Sequence, residues 1–183
     1  MKLLINKVKR GIQKLQLFSQ VSRLNREIAV KVIPDQSEKP VVFFNASTRL
    51  EGLNLNGAFN LISSWGIQLS GREVYHFACR SGMSQCVMGA GQGDPTDPPP
   101  CKGCIEYTRL FSGAAKTTWF DYSEDSELRE LVNGKSVPEL INFEYNGCPL
   151  GELILASTRW ILRRYHLEED EVTRYLLSEF ILS

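Results

Sequence analysis

Residues 41–78, VVFFNASTRLEGLNLNGAFNLISSWGIQLSGREVYHFA, decide the fold class of this chain. The four consecutive apolar residues 41–44 predict a short buried strand, and residues 73–78 predict a second one. Between them, apolar residues recur at helical spacing over residues 55–69. A strand, a helix and a strand in so short a stretch are typical of a βαβ unit. The sequence therefore predicts an α/β fold, a Rossmann-like parallel sheet flanked by helices.

The second half of the chain carries weaker patterns. They predict a helix at residues 105–115, a strand at 117–122 and two helices at 151–167 and 170–183. In the last helix an apolar stripe runs to the final residues, and no cap, glycine or proline follows it. We therefore expect the stripe, formed by Val172, Leu176 and Phe180, to have lost a partner, as in a chain cut inside a larger protein.

Composition places the chain among ordinary globular proteins, with 183 residues of which 43% are hydrophobic and 23% charged. Disorder, collagen and coiled coil are excluded. The 21 basic and 21 acidic side chains balance, but residues 1–31 carry a net charge of +7 and residues 121–183 one of −7. Few basic residues lie around the cysteines, so we expect no nucleic-acid partner.

Residues 1–33 form a basic segment with apolar residues at near-helical spacing, which predicts an amphipathic helix. One interpretation is an anchor on an anionic membrane surface, and the other is a helix packed on the protein with a solvated lysine face. Its lysines interrupt every apolar run before a transmembrane or secretory segment can form. We expect a cytoplasmic chain, peripheral on the inner face of the membrane in the first interpretation, with a second domain at residues 41–183.

Four of the five cysteines fall within 26 residues in a loop rich in glycine and proline. Their spacing suits a closed, structural zinc site with four thiolate ligands. An iron–sulfur cluster is the less favoured metal, and simple packing or disulfides are the alternatives to metal. The predicted ligands are Cys79, Cys86, Cys101 and Cys104. Cys148 lies far along the chain before Pro149 and is predicted to take no part.

A polar segment follows the first predicted strand, at the edge of the sheet where ligands bind in open α/β folds. Asn45, Ser47 and Thr48 can hydrogen-bond sugar hydroxyls, and Arg49 can hold a phosphate or carboxylate with two parallel bonds. The alternative is local, because Thr48 and Glu51 match a capping box that would only start a helix.

Two further groups of polar residues have simpler interpretations. His76 alternates with apolar residues in a predicted strand, so we expect a core histidine more than a catalytic base. Arg159, Arg163 and Arg164 could receive an anion, but pairing with the acidic residues 168–171 on a solvated face is favoured. No combination of side chains predicts a nucleophile, and the catalytic residues stay unknown.

Several segments together resemble the amino-terminal region of bacterial capsule and surface-polysaccharide biosynthesis proteins of the GT-B glycosyltransferase kind. The likeness covers residues 41–183. It is carried by FNASTR at 44–49, HFAC at 76–79, GMSQC at 82–86, PPCKGC at 99–104, GEL at 151–153 and STRW at 157–160.

The resemblance implies an acceptor-side domain that works with a second, nucleotide-sugar-binding domain absent from this sequence. It implies a fragment that is inactive alone, with acceptor contacts at Asn45, Ser47, Thr48 and Arg49. A lipid-linked glycan acceptor would suit the basic N-terminus. The alternative function is a non-enzymatic, zinc-stabilised module that docks on a membrane surface or an acidic partner through its N-terminal helix.

Overall fold

The structure, a computed structural model, describes residues 2–33, 35, 38–45, 54–87, 94 and 96–183, with the side chains of residues 2–5 and 45 excepted. Its contacts divide the chain into two compact units. Unit one comprises Met1–Cys79 and Lys102–Trp119, and unit two comprises Arg80–Cys101 and Phe120–Ser183.

The sheet has three strands in the order β1-β2-β3. These are β1 (Val41–Asn45), β2 (Val74–Cys79) and β3 (Lys116–Phe120). Three helices precede them in turn along the chain, α1 (Lys2–Lys31), α2 (Leu55–Leu69) and α3 (Cys101–Ser112). The strand–helix–strand pattern predicted from residues 41–78 is thus confirmed.

All three strands run parallel, as the apolar runs predicted. Strands β1 and β2 pair in register from Val41 opposite Val74 to Asn45 opposite Ala78. At the start of β3 the Lys116 ammonium lies 3.0 Å from the Glu73 carboxylate, just before β2. At its end the Phe120 carbonyl accepts a bond of 2.8 Å from the N–H of Arg80, just after β2. The coarse prediction, a mixed α/β fold with a parallel sheet flanked by helices, is confirmed.

The core of unit one lies where α1, α2 and α3 meet. Its buried side chains come from all three helices and are Val21, Leu61, Tyr107, Leu110 and Phe111. Asn25 of α1 links the three helices, because its amide donates to the Leu110 carbonyl of α3 at 2.8 Å and accepts from the Trp65 indole of α2 at 2.9 Å. The second half of α1 is therefore an integral part of this unit.

Unit two is helical, with α4 (Ser126–Val132), α5 (Val137–Ile141), α6 (Leu150–Leu162) and α7 (Glu171–Ile181). Its core joins side chains of α4, α5 and α7 with the segments that follow them. The buried members are Leu128, Val132, Val137, Leu140, Phe143, Leu177, Ile181 and Leu182.

The predicted loss of a partner at the last helix is wrong. Leu176 is fully buried and Phe180 is buried, while Val172 alone of the predicted stripe is exposed. Helix α7 packs against α5 and α6. Leu177 and Ile181, which lie next to the predicted stripe on α7, join the core of unit two.

Two element boundaries differ from expectation for reasons of local chemistry. Helix α3 begins at Cys101 instead of residue 105, directly after the three prolines 98–100. Helix α2 is capped by Asn54, whose side chain accepts from the N–H of Gly57 at 2.8 Å. The N-cap of α2 is therefore Asn54, and the predicted capping box of Thr48 and Glu51 lies outside the described residues.

Candidate functional site

The predicted ligand-binding segment begins where β1 ends. The backbone of Asn45 closes that strand at the carboxyl edge of the sheet. The side chain of Asn45, together with Ser47, Thr48 and Arg49, lies outside the described residues. Their assignment to an acceptor site stays a prediction.

The four clustered cysteines belong to different elements. Cys79 closes β2, Cys86 lies in the segment that follows, and Cys101 and Cys104 lie one turn apart at the start of α3. None of the five cysteines forms a disulfide. Over the described part of the chain, no three or more His, Cys, Asp or Glu residues are grouped so that they could hold a metal ion. The predicted metal-binding loop after β2 is therefore unsupported. The four cysteines also do not form one loop, since Cys101 and Cys104 lie in α3.

The predicted core role of His76 is confirmed. His76 is 4% exposed, its ring stacks on Phe43 at a centroid distance of 5.2 Å, and its Nε2 lies 3.1 Å from the Ser64 hydroxyl. The Gln68 amide donates to the same hydroxyl at 3.0 Å. Burial lowers the pKa of His76, because desolvation disfavours the imidazolium.

The Ser64–His76 pair has the separation of a nucleophile and its base, but no substrate can reach it. Ser64 is 1% exposed and lies on the buried face of α2. The adjoining cavity, bounded also by Gly57, Thr108 and Ser112, has a volume of about 10 Å³. That volume holds about one water molecule and no sugar. The pair is a structural hydrogen bond of the core.

The N-terminal half of α1 presents a different kind of site. Val8, Ile12 and Leu15 are each more than half exposed, at helical spacing that puts them on one face. Within the described part of the chain, nothing lies within 4 Å of the position where Gly11 would carry a Cβ. This half of the helix projects free of the described packing of unit one.

Three exposed cations lie in the same turns, with Lys7 and Lys9 on either side of this stripe and Arg10 on the opposite face of the helix. Lys7, Lys9 and Arg10 are all exposed, and within the described residues none of them forms an ion pair. Lys14 differs, because its ammonium lies 3.1 Å from the Glu106 carboxylate and over the rings of Phe18 and Tyr107. The basic site is therefore smaller than the sequence suggested, and Lys14 marks where α1 begins to pack on α3.

Sequence reasoning missed the polar residues that order the buried side of α2. Ser64 and Gln68 continue the line of Gly57 and Leu61 at helical spacing, and all four are buried. Polar residues in register with a buried stripe, next to a strand histidine, were the available signal. They escaped notice because the exposed face of α2 is the more apolar one, with Leu55, Phe59, Ile62 and Leu69.

Among the helices of the described residues, none combines the length and apolar character needed to cross a membrane. Comparison of the chain with protein-family models, with curated proteins and with solved structures finds no match.

Proposed function

We propose that this chain docks on anionic membrane surfaces through the N-terminal half of α1. One observation carries the proposal: an exposed apolar stripe of Val8, Ile12 and Leu15 is flanked by Lys7 and Lys9, and Arg10 adds a third charge in the same turns of the helix. An apolar face that enters the headgroup layer, bordered by cations that meet anionic lipid, is how interfacial helices bind.

The exposed stripe and the buried stripe lie on different faces of α1. Val21, Asn25 and Ile28 form the buried stripe of α1. Val8 precedes Val21 by 13 residues, which at 3.6 residues per turn is a rotation about 140° short of four full turns, so the exposed stripe points away from the buried one. One helix can thus pack on α2 and α3 with one end and meet a flat surface with the other.

The mixed chemistry of this end favours a membrane over an acidic protein or a nucleic acid. Phosphate backbones are bound by cations, and three exposed aliphatic side chains would gain nothing there. A lipid surface takes both kinds of group, since aliphatic side chains bury apolar area and each cation near the surface contributes about 1 kcal/mol.

Co-sedimentation with vesicles tests the proposal. We expect binding to phosphatidylserine-containing vesicles that falls with added salt, and little binding to pure phosphatidylcholine. The variant Lys7→Gln/Lys9→Gln/Arg10→Gln removes three charges, which at about 1 kcal/mol each weakens binding by roughly 150-fold.

The matched control is Arg23→Gln/Arg26→Gln/Lys31→Gln, which removes three charges from the packed half of the same helix. Its binding should fall far less. Equal loss in both variants would show a general charge effect and contradict the site. Binding to an acidic protein without vesicle binding would replace the membrane by that class of partner.

We propose as a second candidate function the acceptor side of a GT-B glycosyltransferase that acts in surface-polysaccharide synthesis. The topology supports it, because residues 46–53 connect the carboxyl end of β1 to Asn54 at the start of α2, the place where open α/β sheets bind ligands. A nucleotide-sugar-binding domain would be needed for turnover. Zinc at the four cysteines is a separate proposal that no described geometry supports.

Acceptor binding distinguishes this second function. We expect a lipid-linked glycan to bind the chain and to bind Arg49→Lys at least about tenfold less tightly, because an ammonium does not reproduce the planar fork. Arg72→Lys is the matched control, since this arginine lies outside the segment and its guanidinium donates to the Lys39 carbonyl at 2.9 Å. No saturable binding of the glycan, or equal binding by the arginine variant, would remove the acceptor role of Arg49.

A further inference from the structure

The end of helix α6 gathers cations and exposed aromatic rings within eight residues, 159–166. Trp160 is 62% and Tyr165 is 74% exposed. Arg164 is neutralised, because its guanidinium lies 2.8 Å from the Asp170 carboxylate and near that of Glu168. The expected pairing with acidic residues is thus confirmed for this arginine.

Arg159 and Arg163 have no such partner. In the part of the chain that the structure describes, neither forms an ion pair. The Arg159 guanidinium lies over the Tyr165 ring, 4.9 Å from its centroid. Its Nε is buried and finds no acceptor in the described structure. A buried N–H without an acceptor is destabilising, and the Nε itself is too enclosed for a ligand to reach. A ligand would meet the terminal nitrogens of this guanidinium, which make no hydrogen bond within the described residues.

The backbone at Arg163 gives an independent indication. Arg163 ends α6 in the left-handed conformation, with φ of 53° and ψ of 36°. Glycine is the residue that adopts this conformation most readily at a helix end. Here the position carries a cation instead, and strained residues of this kind gather at binding sites.

We propose that Arg159 and Arg163 bind the phosphate group of an organic phosphate, with Trp160 offering its exposed face to the rest of the ligand. A guanidinium holds two phosphate oxygens with parallel bonds, and an exposed indole can stack on a sugar or a base. The site lies in unit two and does not depend on membrane docking by α1.

Nuclear magnetic resonance titration of the full chain tests the site with three probes, inorganic phosphate, glucose 1-phosphate and uridine 5′-monophosphate. We expect saturable shifts at residues 158–166 with all three, while sodium chloride at equal ionic strength leaves them unshifted. If glucose 1-phosphate binds more tightly than the other two probes, the ligand is a glycosyl phosphate. If uridine 5′-monophosphate binds most tightly, the ligand is a nucleotide.

Variants of the two arginines make the test specific. Arg159→Gln should weaken phosphate binding by at least about tenfold, the effect of losing one charge-assisted bond. Arg174→Gln, on an arginine already paired with Glu169, is the matched control and should bind as the parent does.

Arg163→Gly separates binding from folding. It relieves the left-handed backbone, so the melting temperature should stay equal or rise while phosphate affinity falls. Shifts that do not saturate, or unchanged affinity in both arginine variants, would overturn the proposed site.

Discussion

The closest backbone approach in unit two predicts the outcome of Gly151→Ala. A Cβ on Gly151 would lie 2.2 Å from the Leu140 carbonyl oxygen and 2.4 Å from that of Ile141. Both neighbours are backbone atoms, so relief requires α5 and α6 to separate. The Gly151 N–H also donates to the Phe143 carbonyl at 2.9 Å, and that bond would stretch as the helices move apart.

Two effects of opposite sign decide how much Gly151→Ala changes the free energy of unfolding. Overpacking in a tight contact costs about 1–3 kcal/mol. Replacing a helical glycine by alanine gains up to about 1 kcal/mol in an exposed helix interior. The clash dominates, because this position is buried in the first turn of α6. We expect a net loss of about 2 kcal/mol, a fall in melting temperature of roughly 8–16 °C for a unit of this size.

Thermal unfolding followed by circular dichroism measures this loss. Gly66→Ala is the matched control, since Gly66 lies inside α2 with nothing within 4 Å of its added Cβ. That variant should be as stable as the parent or more stable. If Gly151→Ala melted at or above the parent's temperature, the close contact between Gly151 of α6 and the carbonyl groups of α5 would be refuted.

Three further predictions concern single features. The contribution of neutral His76 to the free energy of unfolding should be fully present above the unfolded histidine pKa, near 6.5. It should fall as the pH drops toward the lowered pKa of buried His76, because the unfolded chain takes up the proton first. The dependence of the urea midpoint on pH between 7 and 5 should therefore be weaker in His76→Gln, and an unchanged dependence would contradict the desolvation of this residue. Asn54→Ala should cost about 1 kcal/mol as a lost cap, visible as a lower urea midpoint, whereas no change would deny the cap. Zinc at the four cysteines is tested by elemental analysis, with metal lost in Cys86→Ser and kept in Cys148→Ser, and four independently alkylated thiols in metal-free protein would remove it.

Local patterns predicted the sheet because its elements are set by local chemistry. The apolar run 41–44 and the helical spacing of 55–69 each describe one element completely, and the structure places them within a residue of expectation. The sequence analysis places the start of α3 too late, because it assigns Cys101 and Cys104 to a metal-binding turn. A residue that precedes a proline is disfavoured in the helical conformation, so the run of prolines 98–100 permits a helix only after it, from Cys101 onward.

Packing between elements was harder to predict. The sequence does not show the partners of α7, because α4 and α5, which share its core, are only 7 and 5 residues long. Helical periodicity is recognised over windows of about 11 residues or more. The extent of the docking surface on α1 could not be predicted from the sequence either. The sequence shows one continuous basic helix, and only the structure shows that Lys14 is paired and that the exposed and buried stripes face different sides.

Hydrogen exchange of the full chain, with and without phosphatidylserine vesicles, tests membrane docking by α1 most directly. The account predicts that exchange slows in peptides covering residues 6–16 and stays unchanged in those covering residues 17–31 and the strands of the sheet. Vesicle binding with no protection in residues 6–16, or with protection confined to other segments, would contradict it.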